Sequence, residues 1–157
     1  MRLVLDTNVV LDLFYWRDPA LAELSSALEA GRCLCLADAQ TMGELERVLE
    51  LFEGAERRKN TASPREALAA YRALVVLEDS GEQEAEAMSA LPRCRDSDDQ
   101  KFLELALRSH ASYLVTRDRE LLRLERFLKR EDRKGNRAGF CVLSPAALLP
   151  LLAPTAG

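Results

Sequence analysis

The sequence predicts an α/β domain of three layers, in which helices flank a mainly parallel central sheet. Short apolar segments of strand length alternate with segments whose apolar residues recur at helical spacing, and this alternation is typical of parallel α/β folds. A length of 157 residues allows one domain with a substantial core. We therefore expect a single domain over residues 1–152, followed by a short flexible tail at 153–157.

The first strand and two helices are predicted near the N-terminus. Residues 3–5 form a short apolar run, and residues 9–15 continue with apolar side chains at helical spacing. Asp18 and Pro19 are typical of a helix start, with the aspartate as the cap. A second helix is therefore expected at 20–30, ending at the glycine that follows.

The middle of the chain continues the alternation. Residues 33–37 are apolar and form the second predicted strand. Residues 40–52 are predicted to form an amphipathic helix, because their apolar side chains fall on one face. The polar segment 53–63 is expected to be a loop. A helix at 64–74 and a short strand at 75–77 follow.

The last part of the chain contains the helix that should be most deeply buried, which begins at Asp99 and is apolar nearly all round as far as residue 106. A charged helix is expected before it, at 82–91. The elements predicted after it are a strand at 112–116, a helix at 120–129, a loop at 130–139, a strand at 140–143 and a helix at 145–152.

Composition favours a cytoplasmic protein without membrane association. No apolar run approaches the roughly 20 residues that span a bilayer, and the N-terminus lacks the pattern of a secretion signal. The four cysteines lack zinc-site spacing, so we interpret them as reduced, with Cys33 and Cys35 packing on one side of a strand. The single histidine, His110, is interpreted as a surface residue.

The formal net charge of −4 is unevenly distributed, since acids dominate residues 78–104 and bases dominate 117–137. One interpretation of the basic segment is a solvated helix face with pairs such as Glu125–Lys129. The other is a surface that contacts nucleic-acid phosphates. The residues predicted for such RNA contacts are Arg117, Arg119 and Arg123.

Four acids are expected to meet at one edge of the sheet. Asp6 and Asp118 each follow a predicted strand, whereas Asp99 and Glu44 lie near the starts of helices. Functional groups of open α/β sheets collect outside the carboxyl ends of the strands. Because like charges repel at close range, such a cluster needs protons or cations. The pattern therefore indicates a divalent-metal site.

Each acid also has a purely structural interpretation. Asp6 and Asp118 could cap the helices that follow them, and we expect Asp6 both to cap and to bind metal. Asp99 competes with Asp96 and Asp98, but it lies one turn before the buried face of its helix and is expected to point inward.

The three remaining positions of interest are less distinctive. Glu44 differs from the glutamates around it only by its place at the strand-side end of its helix. Asp38 also ends a strand and is the main competing acid. Asn8 either orients Asp6 by hydrogen bonding or is a turn residue.

Four segments carry motifs in a recognisable order, and through them nearly the whole chain resembles the PIN-domain nucleases, particularly the toxins of bacterial and archaeal toxin–antitoxin systems. The segments are Leu5–Val9, Gly43–Leu49, Cys94–Ala106 and Tyr113–Asp118. The resemblance implies that the metal-binding acids are Asp6, Glu44, Asp99 and Asp118, supported by Asn8 and Thr116. Ser97 replaces a usual proline, and Asp38 replaces a frequent serine, which would place an extra charge near the pocket mouth.

The predicted activity is that of a metal-dependent endoribonuclease, a hydrolase. Carboxylates without histidine or thiolate suit Mg²⁺ or Mn²⁺, whose bound water would attack the phosphodiester. Asp6 would be the central ligand, completed by Asp99 and Asp118, while Glu44 binds a second metal or positions water. The resemblance implies RNA as the substrate, an antitoxin protein as a partner and a homodimer.

A second hypothesis keeps the fold without the catalysis. The domain would then be a binding module acting through an antitoxin or through self-association, with 53–63 and 40–52 as surfaces. Two other acid-dependent α/β classes fit poorly. A phospho-receiver needs adjacent acids after the first strand, and a phosphotransferase with an aspartate nucleophile needs a second aspartate where this chain has Asn8.

Overall fold

A computed structural model describes residues 1–56, 59–79, 88, 91–135 and 138–153 of the chain. Within these residues, one five-stranded sheet is flanked by seven α-helices. The strands are β1 (Arg2–Leu5), β2 (Leu34–Ala37), β3 (Val75–Leu77), β4 (Tyr113–Val115) and β5 (Cys141–Leu143). The helices are α1 (Thr7–Phe14), α2 (Ala22–Glu29), α3 (Ala39–Glu50), α4 (Pro64–Leu74), α5 (Gln100–Arg108), α6 (Arg119–Arg133) and α7 (Pro145–Leu152).

The sheet is parallel throughout, which confirms the predicted fold class. Its order is β3-β2-β1-β4-β5, so the chain builds outward from β1 to β3 and then returns to the other side of β1. Leu5 pairs with Val115 in register, and β1 and β4 therefore end side by side. The gap between their carboxyl ends is a topological switch point, where ligands of open α/β sheets bind.

Alternating side chains of the strands divide the core into two layers. Leu3 and Leu5 of β1 pack in the core formed with α1, α2, α3, α4 and α7. Val4 points to the opposite face and packs in the core formed with α5 and α6. Each fully buried leucine stabilises the fold by about 1.5–3 kcal/mol. A sheet covered on both faces keeps its strands rigid, so the residues that follow them are held in place.

Local capping fixes the helices that border the strand ends. Ser63 accepts a hydrogen bond from the amide of Glu66 at 3.1 Å, and the Glu66 side chain accepts one from the Ser63 amide at 2.7 Å. Pro64 at the first helical position adds to this signal. The predicted helix at 64–74 therefore has the observed bounds, and a cap of this kind contributes about 1 kcal/mol.

Two predicted boundaries are wrong in detail. Asp18 caps a 3₁₀ turn, Pro19–Leu21, and the α-helix begins only at Ala22. The loop predicted at 130–139 is helical as far as Arg133. Residues 130–133 look like part of a loop because all of them are charged. However, basic side chains in the last turn of a helix interact favourably with the helix dipole.

Three predictions concern segments that are incompletely described. The helix predicted at 82–91 lies outside the described residues except for positions 88 and 91, and the predicted loop 53–63 lacks positions 57 and 58. Of the tail predicted at 153–157, the description reaches position 153. The single-domain prediction over 1–152 therefore stays a prediction.

The composition-based interpretations agree with the burial pattern. Cys33 and Cys35 are buried in the same core, and all four cysteines are free thiols. Burial raises the pKa of the Cys35 thiol to about 12, so this residue is inert packing. His110 is exposed, as predicted. Within the described part of the chain, no helix has the length and apolar character needed to cross a membrane.

Candidate active site

The four predicted acids lie in one electrostatic environment at the carboxyl edge of the sheet. Burial raises the pKa of Asp6, and the charges of Glu44 and Asp118 raise it further. The pKa of Asp99 is raised to about 6, first by burial and then by the charges of Asp6, Asp118, Asp96 and Glu44. Carboxylates that resist ionisation together are stabilised by a nearby cation.

Asp6 sits at the centre of this environment because it directly follows the central strand. It is 5% exposed, and its amide donates to the carbonyl of Val115 at 2.9 Å. The Thr116 hydroxyl donates to Asp6 Oδ2 at 2.7 Å and accepts from the Asp118 amide at 2.9 Å. Thr116 therefore connects the ends of β1 and β4 and orients the Asp6 carboxylate.

The capping role expected for the Asp6 side chain is not seen. Asp6 occupies the N-cap position of α1, and its backbone carbonyl accepts from Val9 and Val10, but its side chain forms no capping hydrogen bond. The backbone amide of Asn8 lowers the pKa of Asp6, and the Asn8 side chain is exposed. The carboxylate of Asp6 therefore stays available to a ligand.

Asp118 combines the two roles considered for it. Its Oδ1 accepts from the amide of Glu120 at 2.7 Å, so it caps α6. Its charge also acts on Asp6 and on Asp99. One carboxylate oxygen thus fixes the helix, while the residue remains part of the acidic environment.

Asp99 precedes α5 and differs from its acidic neighbours in burial. Asp96 accepts from the amide of Asp98 at 2.9 Å and caps the short turn Ser97–Asp99. Asp96 and Asp98 are exposed, whereas Asp99 is partly buried. The charge of Asp6 contributes to the raised pKa of Asp99, so the two carboxyl groups interact electrostatically.

Glu44 is held by two side chains that the sequence analysis did not single out. The Thr7 hydroxyl donates to Glu44 Oε1 at 2.8 Å, and the Lys101 ammonium forms an ion pair with Oε2. Thr7 follows Asp6 directly, and Lys101 comes two residues after Asp99. Their closeness in sequence to predicted acids is the signal that could have identified them.

Asp38, the competing acid, has a structural role. It is 2% exposed, caps α3 by accepting from the Thr41 amide at 2.9 Å, and pairs with Arg108 at 2.5 Å. The extra charge expected near the pocket mouth is therefore balanced inside the protein. By fixing the start of α3, Asp38 also fixes the helix that carries Glu44.

The arginines predicted to contact RNA lie in different surroundings. Arg117 pairs with Asp12 at 2.7 Å and with Asp18 at 3.4 Å, whereas Arg119 is exposed. Arg123 pairs with Glu120 at 2.6 Å. The interpretation of the basic segment as a solvated helix face is confirmed for Lys129, which pairs with Glu125 as predicted.

A pocket of about 230 Å³ lies directly beside Asp99. Its walls combine basic, acidic and apolar side chains, and they include two arginines that the sequence analysis missed. The lining residues are Arg93, Cys94, Arg95, Asp96, Asp99, Glu120, Leu121, Arg123 and Leu124. Space for a small ligand group therefore adjoins the acidic environment.

The donor set suits a hard divalent cation, although a preformed cage is not seen. Among the described residues, no three Asp, Glu, His or Cys side chains converge closely enough to hold a metal ion. Mg²⁺ commonly keeps several waters and takes only one or two carboxylates from the protein. The oxygen-only donors and the raised pKa values of Asp6 and Asp99 fit that mode of binding.

Comparison with known proteins identifies the family. The profile of the PIN domain matches residues 2–120, which is more than half of the chain and includes all four motif segments. The chain therefore belongs to the PIN domain family, a nuclease fold whose members are generally metal-dependent ribonucleases. No curated protein and no solved structure matches the chain.

Proposed function

We propose that the protein is a divalent-metal-dependent endoribonuclease that hydrolyses phosphodiester bonds of RNA. The observation that carries this proposal is the position of Asp6. It is buried at the switch point of a parallel sheet, and Glu44 and Asp118 raise its pKa. A buried acid surrounded by acids at this place in the fold is a costly arrangement unless a cation binds there.

The proposed roles follow from the contacts of each side chain. Asp6, Asp99 and Asp118 would hold Mg²⁺ or Mn²⁺, in part through water, and Thr116 keeps the Asp6 carboxylate oriented. When bound, the cation supplies an activated water and stabilises charge on the phosphodiester. Because the pKa of Asp99 is about 6, this carboxyl is ionised near neutral pH and can act as a ligand.

The RNA backbone is proposed to pass over the pocket beside Asp99. Arg93 and Arg95 are exposed on its rim, and Arg123 lines it from α6. Arg119, one helical turn before Arg123, extends the basic surface. Arg117, the third arginine predicted from sequence, is the weakest of the proposed contacts, because Asp12 and Asp18 compete for it. Phosphate contacts of this kind should make RNA binding weaken as salt rises.

The test is cleavage of a labelled single-stranded RNA and a labelled structured RNA in Mg²⁺, in Mn²⁺ and in EDTA. The wild-type protein should cut in either metal but not in EDTA, and Asp6→Asn should be inactive. Asp79→Asn is the matched control, because Asp79 also follows a strand at the same edge but is exposed. Metal-dependent cutting by Asp6→Asn at the wild-type rate would refute the proposal.

A toxin role is the finer part of the proposal and is supported by the resemblance of the four motif segments. Expression of the wild-type chain should arrest growth of a bacterial host, whereas Asp6→Asn should not. Equal growth arrest by the wild type and by Asp6→Asn would show that the toxicity does not depend on the acidic site. The protein would act in the cytoplasm, where its RNA substrates are.

A partner surface is proposed along α3, as the sequence analysis suggested. A groove of about 360 Å³ lies between α3 and α4 and is lined by Leu49 and Leu68, by Glu46, Glu50 and Glu53, and by Arg65 and Arg72. Arg72 pairs with Glu46, which leaves Glu50 and Glu53 as the other acids of the lining. An antitoxin segment with apolar and basic side chains would suit it. Homodimerisation is a separate proposal, and light scattering should give twice the chain mass of 17.5 kDa.

A further inference from the structure

Both carboxylate oxygens of Glu44 are already bonded to the protein's own side chains. Oε1 accepts from the Thr7 hydroxyl at 2.8 Å, and Oε2 pairs with the Lys101 ammonium. The Glu44 side chain is 23% exposed, so these partners replace most of its water. A metal ion at Glu44 would have to share these oxygens with Thr7 and Lys101, and the adjacent ammonium would repel it.

Lys101 is itself fixed rather than a mobile surface lysine. Its side chain is 14% exposed, and its ammonium donates to the backbone carbonyl of Asp98 at 2.5 Å. The ammonium also lies 5.2 Å from the centroid of the Phe102 ring, within the range of a cation–π interaction. The Asp98 carbonyl, the Phe102 ring and the Glu44 carboxylate together hold the positive charge of Lys101 beside Glu44.

The three aspartates differ from Glu44 in this respect. Within the described part of the chain, Asp99 accepts no hydrogen bond, Asp6 accepts one from Thr116 through Oδ2, and Asp118 accepts one from Glu120 through Oδ1. Each aspartate therefore keeps at least one oxygen that no described side chain occupies. These oxygens are the ones available to a cation.

We infer that Lys101 acts as a fixed cation for Glu44, so that the site holds a single divalent ion, bound directly by one or two of Asp6, Asp99 and Asp118 and otherwise by water. This inference rests on the proposed function and refines it, because Glu44 becomes a positioning residue rather than a metal ligand. The ammonium of Lys101 repels a second divalent ion and neutralises the carboxylate that would bind it. The pair thus sets both the number of metal ions and their place.

The inference is tested by titrating Mn²⁺ into metal-free protein near neutral pH, followed by calorimetry and by the electron paramagnetic resonance signal of free Mn²⁺. The wild-type protein should bind one Mn²⁺ per chain. Glu44→Gln should keep that stoichiometry and a nearly unchanged affinity, whereas Asp6→Asn should lose binding. Metal binding is read without cleavage, so a merely structural effect on activity does not enter the result.

Substitution of Lys101 gives the sharper half of the test. Lys101→Met frees Glu44 and adds one net negative charge, so Mn²⁺ should bind at least about tenfold tighter, or a second ion should bind. Lys101→Arg keeps the charge and should behave like the wild type. The double variant Lys101→Met with Glu44→Gln should return to wild-type binding. Lys129→Met removes an exposed lysine from a Lys–Glu pair on α6 and should leave Mn²⁺ binding unchanged.

The outcomes separate this inference from the proposed function. Two Mn²⁺ ions on the wild-type protein, or loss of Mn²⁺ from Glu44→Gln, would overturn the single-ion arrangement and leave a metal-dependent nuclease. No Mn²⁺ binding by folded wild-type protein would overturn the metal-dependent function and the inference together. If Lys101→Met does not fold, the Glu44→Gln and Lys101→Arg variants still decide between these outcomes.

Discussion

Breaking the ion pair between Asp38 and Arg108 should be one of the most destabilising single changes to the protein. The Asp38 side chain is 3% exposed and that of Arg108 is 14% exposed. Arg108→Met would leave the Asp38 carboxylate buried without its partner. Breaking a buried pair in this way costs about 3–5 kcal/mol, a large part of the 5–15 kcal/mol that typically separates folded from unfolded protein.

The assay is urea unfolding followed by far-ultraviolet circular dichroism. With a slope of about 1–3 kcal/mol per molar urea, the midpoint should fall by about 2 M. Asp38→Asn keeps the cap acceptor of α3 and should cost less, because Arg108 still reaches water. The double variant should cost less than the sum of the two single variants, since neither charge is then left unpaired.

Arg108→Lys is the charge-conserving control. One guanidinium nitrogen contacts Asp38, and the buried Nε has no hydrogen-bond partner in the described residues. Lysine keeps the charge and removes that unpaired group, so it should cost about 1 kcal/mol. A loss below about 1 kcal/mol for Arg108→Met, or additive single and double variants, would refute the reasoning.

Three further predictions concern the site and its supporting core. Thr116→Val removes the hydrogen bond that lowers the pKa of Asp6, so the acidic limb of the cleavage pH profile should move to higher pH; an unchanged profile would contradict this. The folded-state pKa of Asp99 is raised from 3.8 to about 6, so the metal-free protein loses stability as pH rises through this range. Asp99→Asn should therefore be more stable than the wild type above this pH range, by about 1 kcal/mol after solvent screening. This gain in the free energy of unfolding should vanish below pH 3.8. A gain that is independent of pH would refute the electrostatic explanation. Tyr71→Phe removes a buried hydroxyl that contacts the Cys35 thiol at 3.4 Å and should cost about 1 kcal/mol in urea unfolding; a loss several times larger would indicate that the hydroxyl has another role.

The fold could be predicted from sequence because its signals are local. Strands of three or four apolar residues stop at polar residues, and the Ser63-Pro64 start of α4 is a strong capping signal. Asp6 could be identified in the same way, because it directly follows an apolar strand and functional groups collect at strand ends. The end of α6 was missed because the charged residues 130–133 have the composition of a loop but continue the helix.

The details of the site depend on contacts that are distant in sequence. Glu44 and Lys101 are 57 residues apart in sequence, and Arg108 and Asp38 are 70 residues apart. Arg117 looked like a free basic residue, yet it pairs with Asp12, which lies 105 residues away. No local pattern predicts such pairs, because helix packing on the sheet brings them together. Sequence therefore predicts the acids and Thr116, but not the side chains that pair with Glu44 and Asp38.

The central claim is that a partly buried acid that interacts with Asp6, rather than acidic charge in general, supports cleavage. Asp99 and Asp98 are neighbours, but the pKa of Asp99 responds to Asp6, whereas Asp98 is exposed. The decisive measurement is the rate of RNA cleavage in Mn²⁺ by Asp99→Asn and by Asp98→Asn. We expect at least a roughly 100-fold loss for the first, about 2.7 kcal/mol of transition-state stabilisation, and a near wild-type rate for the second. Equal rates for the two variants would contradict the account.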